Sequence, residues 1–244
     1  MMKELKYQRI LLKISGEILK GEHHFGVDSE ACLRFALVLK KILELNLQVG
    51  VVIGGGNFLR GAQLAGLGIE RANADEMGML ATVMNGIALK QACQKQGVKA
   101  HLMSALECPK VAEPIQREKA RLALSQGEVV IFVGGTGSPF FTTDTAAALR
   151  AAEIGADTLL KATKVRGIYS KDPKIYPEAY RYREISYEQL LAEKLMVMDA
   201  TAVALCRDQK IPIFVFEMQQ LFAEHLQESL WDGEYGSWVL QRSE

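Results

Sequence analysis

Two lysines stand inside apolar runs of this sequence. Lys13 interrupts "ILLKIS" and Lys161 interrupts "TLLKA". A buried ammonium is costly unless an anion meets it, so each lysine asks for a partner. Asp144, directly after "TGSPFFTT", is a candidate carboxylate. Three glycine-rich turns offer room for another anion: "SGE" at 15–17, "GGGN" at 54–57 and "GGTGSP" at 134–139. Glycine lets backbone N–H groups close on a phosphate, and helix N-termini add a favourable dipole. Cations converging on such a cradle suit phosphoryl transfer, which needs positioning and positive charge around the moving group rather than covalent help. A carboxylate between two lysines would hold their geometry or a Mg²⁺ ion. Plainer roles exist for the same residues. Asp144 also suits a helix cap, and the lysines suit a sheet edge where the stem reaches solvent.

The common phosphate and hydrolase motifs are absent. No lysine is followed by Ser or Thr, so there is no Walker A sequence, and none of the Gly-x-Gly triplets at 54, 66 and 135 has a third glycine in Rossmann spacing. HExxH and GxSxG are missing too. Any phosphate chemistry here follows another scheme.

The elements that must position these residues can be read from the apolar pattern. Near-continuous apolar runs at 9–15, 49–54, 98–103, 128–135, 158–162 and 211–218 predict strands covered on both faces. Helical patterns fill the gaps, at 28–45, 75–96, 116–125, 144–154, 187–194, 200–209 and 219–228. Asp28 suits the cap of the first, whose stripe is Cys32, Phe35, Leu39 and Ile42. This alternation predicts an α/β fold, a three-layer sandwich around a mainly parallel central sheet. With no linker, repeat or low-complexity tract, residues 1–244 read as a single domain. The irregular stretch 167–186 reads as a hairpin or lid near one end of the sheet.

The bulk numbers narrow the function classes. The 244 residues carry 29 Lys plus Arg against 29 Asp plus Glu, which offers no electrostatic reason for nucleic acid or an anionic membrane as partner. No run reaches the roughly 18 apolar residues of a membrane span. Cys32, Cys93, Cys108 and Cys206 are far apart and make no CxxC pair, so neither a disulfide framework nor a zinc site is expected. The two adjacent histidines, His23 and His24, lack a third partner for a metal. A cytoplasmic protein is the simplest expectation.

Six segments in this order carry a resemblance: "LLKISGE", "VIGGGNFLRG", "ADEMGMLATVMN", "GGTGSPFFTTDTAAALRAAEIGAD", "LLKATKVRGIYSKDP" and "MDATAVALCRDQKIPIFVF". Together they resemble the UMP kinase branch of the amino acid kinase family, over about residues 9–240. The resemblance implies transfer of the γ-phosphoryl group of ATP to UMP, giving UDP and ADP, with Mg²⁺ accompanying ATP and no protein-bound metal. It also implies a homohexamer, activated by GTP and inhibited by UTP. Carried over motif by motif, Lys13, Ile14, Ser15 and Gly16 form the first loop on the ATP side. Gly55 faces the UMP phosphate, and Gly56 and Arg60 face the transferred group or ATP. Asp75 accepts hydrogen bonds from ribose hydroxyls of UMP. Thr136, Gly137, Ser138, Pro139, Phe140, Phe141, Thr142 and Thr143 wrap UMP. Asp144 and Lys161 are catalytic with Lys13, and Asp199 is either a further organiser of the lysines or a helix cap. Thr163, Tyr169 and Asp172 border the adenosine of ATP. Two departures stand out: Arg166, where the family commonly has Asp or Asn, and "GEHHFGVD" at 21–28, which matches the GTP-responsive segment only loosely. Alternatives on the same scaffold are an amino acid or carbamate kinase, or a non-catalytic nucleotide- or oxyanion-binding protein.

Overall fold

Strands that are apolar on both faces must be covered on both sides. The structure, a computed structural model describing residues 7–59, 68–195 and 197–241, meets that demand with helices above and below one sheet. The first half runs β1 (Arg9–Ile14), α1 (Ser29–Glu44), β2 (Gln48–Ile53), α2 (Arg71–Lys95), β3 (Ala100–Ser104), β4 (Glu113–Pro114), α3 (Arg117–Ser125) and β5 (Val129–Val133). Then come α4 (Thr143–Ile154), β6 (Thr158–Thr163), β7 (Ile168–Tyr169), β8 (Arg181–Tyr182), β9 (Glu184–Ser186) and α5 (Tyr187–Ala192). The chain ends with α6 (Ala200–Asp208), β10 (Ile213–Glu217), α7 (Leu226–Ser229) and β11 (Gly236–Leu240).

Among the described residues nine strands form the main sheet, in the order β4-β3-β5-β2-β1-β6-β10-β11-β9. Every neighbouring pair is parallel except β10 with β11. Strand side chains alternate between the two faces. Ile10, Leu12 and Ile14 of β1 therefore join the core beneath α1 and α2, with Phe35, Leu39, Val83 and Leu89. Leu11 joins the opposite core, built from α3 to α6 and rich in the alanines of α4. Lys13 shares the face of Leu11. The parallel register sets it directly beside Lys161 of β6.

Local signals explain the helix that begins this scaffold. Asp28 caps α1, accepting from the Ala31 N–H at 2.6 Å, and its stripe of Cys32, Phe35, Leu39 and Ile42 is buried. Gly86 lets α2 settle closely on the sheet, because a Cβ there would stand 2.5 Å from side-chain carbons of Leu102 and Val133. No helix among the described residues is long and apolar enough to cross a membrane.

Several boundaries differ from the sequence pattern. α2 starts at Arg71, a full turn before the expected 75. The predicted helix at 219–228 divides into a 3₁₀ turn, Met218–Phe222, and the short α7. β4 and β9 are too short to show a period-2 pattern, so the sequence carried no sign of them. β11, also unpredicted, pairs antiparallel to β10. Within 167–186, β7 and β8 form the antiparallel pair expected of a hairpin, while β9 joins the edge of the main sheet.

Candidate active site

Parallel strands end on the same edge of a sheet, so their following loops gather there. The turn at Ser15–Gly16, the glycines at 54–56, the segment from Gly134 and the chain beyond Thr163 all follow parallel neighbours β1, β2, β5 and β6. The three glycine loops of the sequence thus belong to one edge.

At this edge the two strand lysines meet Asp144. Lys13 Nζ lies 2.8 Å from Asp144 Oδ1, and Lys161 Nζ donates to Asp144 Oδ2 at 2.5 Å. Lys161 also donates to the carbonyl of Val197 at 2.5 Å. The three side chains are only 10–14% exposed, so the lysines are held inside rather than reaching out to solvent. Asp144 is free for this task because another residue caps α4. The Thr142 hydroxyl accepts from the Asp144 and Thr145 N–H groups at 3.0 and 3.3 Å. Burial pushes the Asp144 carboxyl up, but the two ammonium groups outweigh it and hold the group below its ordinary range. For Lys161 burial wins. Its ammonium is less basic than usual, although Asp144 opposes the shift.

Asp199 takes up both roles open to it in part. Its Oδ1 caps α6 at the Ala202 N–H, at 3.0 Å. Its Oδ2 accepts from the hydroxyls of Thr142 at 2.5 Å and Thr145 at 2.9 Å, which braces the first turn of α4 where Asp144 stands. It adds a favourable field at Lys161.

A cleft of about 610 Å³ opens on one side of this cluster, lined by Gly55, Gly56, Asp75, Phe141, Thr142 and Thr143, among others. Asp75 receives Arg71 Nε at 2.9 Å and the Phe140 N–H at 2.8 Å. That second bond holds Phe140 at φ 72°, a left-handed conformation costly for an aromatic residue. Thr136 instead lines a neighbouring cavity with Arg150 and Glu153, and its hydroxyl donates to the Ser138 carbonyl at 3.0 Å. Gly137 is left-handed and donates to the Gly134 carbonyl at 3.0 Å. Arg60 lies outside the described residues.

A second cleft, of about 480 Å³, brings together Thr163, Tyr169 and Asp172 with Gly167, Val197 and Val215. Val197 also receives Lys161, and Thr143 of the first cleft precedes Asp144, so the Lys–Asp–Lys cluster is flanked by both clefts. Ile14 buries its side chain in the core, and its carbonyl accepts from Gly54 N–H at 3.0 Å. Arg166 is exposed. His23 and His24 are exposed as well, His23 facing Asp28 at 3.3 Å.

Some residues that shape the site carried no sequence signal of a role. Thr82, on α2, accepts from Gly134 N–H at 2.7 Å while donating to the Met79 carbonyl at 2.7 Å. Asn85, three residues on, is fully buried and bonded to Asn57 of the second glycine loop.

Known proteins resemble this chain in sequence and fold. The sequence model of the amino acid kinase family matches residues 8–217. A uridylate kinase of Protochlamydia amoebophila (strain UWE25) is 57% identical over 232 residues, covering 95% of this chain and 92% of the relative. The UMP kinase of Ureaplasma parvum superposes with a TM-score of 0.88 at 36% identity, over 98% of this chain and 100% of that one. The UMP kinase of Bacillus anthracis does so with a TM-score of 0.90 at 32% identity, over 97% of each. The α/β sheet order, the matched motif blocks and these likenesses agree: the chain belongs to the amino acid kinase family.

Proposed function

We infer that this protein is a UMP kinase, passing the γ-phosphoryl group of ATP to UMP to give UDP and ADP. One observation carries the reading most: a buried Lys–Asp–Lys cluster with a cleft on either side, room for two substrates that meet at the lysines. The uridylate kinase relatives support UMP as the acceptor.

The chemistry follows from the charges. An oxygen of the UMP phosphate forms the new bond to the γ-phosphorus of ATP, and the bond to the β-bridging oxygen breaks with ADP as leaving group. A phosphate monoester loses its second proton with a pKa of about 6, so near neutral pH the acceptor needs no general base. Asp144, held below the ordinary carboxylate range, is a poor proton acceptor and serves to anchor the lysines. Lys13 and Lys161 supply positive charge where the phosphoryl group passes. The described residues contain no group of three or more His, Cys, Asp or Glu side chains able to hold a metal, and both Asp144 oxygens face ammonium groups. This donor set suits Mg²⁺ entering as Mg·ATP, carried on the phosphates. UMP occupies the cleft at Gly55, Asp75 and Phe141–Thr143. ATP occupies the cleft at Thr163, Tyr169 and Asp172, with the Ser15–Gly16 turn on its phosphate side and Gly56 of the first cleft facing the transferred group.

The direct test is ADP release from Mg·ATP with UMP, CMP, AMP, GMP and dUMP offered separately. Turnover with UMP far above the others is the expected result; turnover with none of them overturns the reading. A carboxylate has about four lone-pair sites, so Asp75 keeps room for ribose hydroxyls beside Arg71 and the Phe140 N–H. Asp75→Ala is expected to raise KM for UMP about ten- to a hundredfold, the loss of charge-assisted hydrogen bonds, and to erase the preference for UMP over dUMP. An unchanged preference removes the ribose assignment.

The reading extends to a single domain over residues 1–244, a cytoplasmic location, and a homohexamer activated by GTP and inhibited by UTP. Exposed Met77, Leu80, Met84 and Ile87 recur at helical spacing along α2 and support self-association. A sedimentation mass near that of one chain counts against the hexamer.

A further inference from the structure

Two anion-facing loops of the site rest on one buried amide pair. Asn57 and Asn85 are 2% and 0% exposed. Each donates to the other, at 2.8 Å in both directions. The second amide proton of Asn85 goes to the Gly54 carbonyl at 2.9 Å, and that of Asn57 to the Gly26 carbonyl at 2.7 Å. Carbonyls only accept, so both amide orientations are determined by the network, and every amide proton of the pair is used. The Asn57 carbonyl in turn accepts from Gly26 N–H at 2.9 Å.

The first loop lies directly against this pair. A Cβ on Gly16 would stand 2.2 Å from Asn57 Oδ1, 2.3 Å from the Gly54 carbonyl and 2.7 Å from Asn85 Nδ2. Only glycine fits, so the turn after Lys13 and the loop at 54–57 are held at contact distance by the same two side chains. Neither asparagine lines either of the two clefts beside the Lys–Asp–Lys cluster. We propose that the Asn57–Asn85 pair is a positioning device for phosphoryl transfer: it sets the separation of the loops that follow β1 and β2, and thereby the alignment of the two phosphate chains.

The proposal rests on the kinase reading for its effect on turnover, but not for its effect on the loops. A misplacement of about 1 Å at a reacting centre costs about a hundredfold in rate. The variants Asn85→Ser and Asn57→Ser shorten the amides and release Gly54 and Gly26. In variants whose circular dichroism and melting show a folded protein at assay temperature, kcat is expected to fall about ten- to a hundredfold. KM for Mg·ATP and UMP should change far less. Hydrogen exchange should quicken in peptides covering 15–20 and 54–58, with the strands of the sheet unaltered. A folded variant with parental kcat, or with altered KM alone, overturns the proposal. So does unchanged exchange in those two segments. The exchange result stands even if the parent turns over no nucleotide, which separates the two readings. Should the variants fail to fold, the parent decides: protection at 54–58 comparable to β2 supports the device, and exchange as fast as in the exposed 22–25 segment overturns it.

Discussion

Lys161→Met is expected to lower kcat for UDP formation by about 10³–10⁵-fold, the range seen when one positive group is withdrawn from a phosphoryl-transfer site. Methionine keeps the length and apolar stem, so β6 should keep its packing. The charge is needed mainly while the phosphoryl group is between oxygens, and KM for both substrates should therefore move little. Steady-state kinetics with Mg·ATP and UMP decide it. A variant within about tenfold of the parent would show that Lys161 serves the fold alone. That outcome has a physical basis to compete with, since Lys161 also ties β6 to the Val197 carbonyl.

Asp144→Asn should damage both stability and rate. The amide leaves two inward ammonium groups without their directly paired carboxylate, and breaking a buried pair in this way costs about 3–5 kcal/mol. The melting temperature is the readout for that part. Turnover should fall with it, because the lysines lose the anchor that aims them. The acid side of the stability profile offers a second check. Although burial opposes it, Lys13 and Lys161 hold the Asp144 carboxyl low, so its ionised form stabilises the fold at and above the ordinary carboxylate pKa of about 3.9. That contribution disappears as pH falls through the depressed value. Asp144→Asn should be less stable than the parent at neutral pH and converge with it in strong acid. Equal stability at neutral pH would mean the ion pairs contribute nothing net.

The legible part of the fold was the part with long, regular patterns. "ILLKIS", "VGVVI" and "VVIFV" are short, rich in Ile and Val and largely apolar at successive positions, as suits a strand covered on both faces, and they became β1, β2 and β5. Asp28 announced α1 because a cap is a local event. The chain after β10 resisted, since the 3₁₀ turn and α7 owe their form to the surrounding packing. At the site, glycine loops at strand ends together with two lysines inside apolar strands point to phosphate on residue chemistry alone.

By itself the sequence determined that Lys13 and Lys161 each needed an anion, that glycines would sit at strand ends, and which family motifs the chain carries. Tertiary structure alone decided that β1 and β6 are neighbours, which sets the lysines side by side in register. It decided that Thr142 takes the cap of α4 and frees Asp144 for both lysines. It also joined Asn57 to Asn85 beneath Gly16. The reason is one of range: caps, turns and periodicity are set by residues a few positions apart. Strand order and buried side-chain pairs are set by crossovers between segments far apart in sequence, and no local pattern records which two will meet.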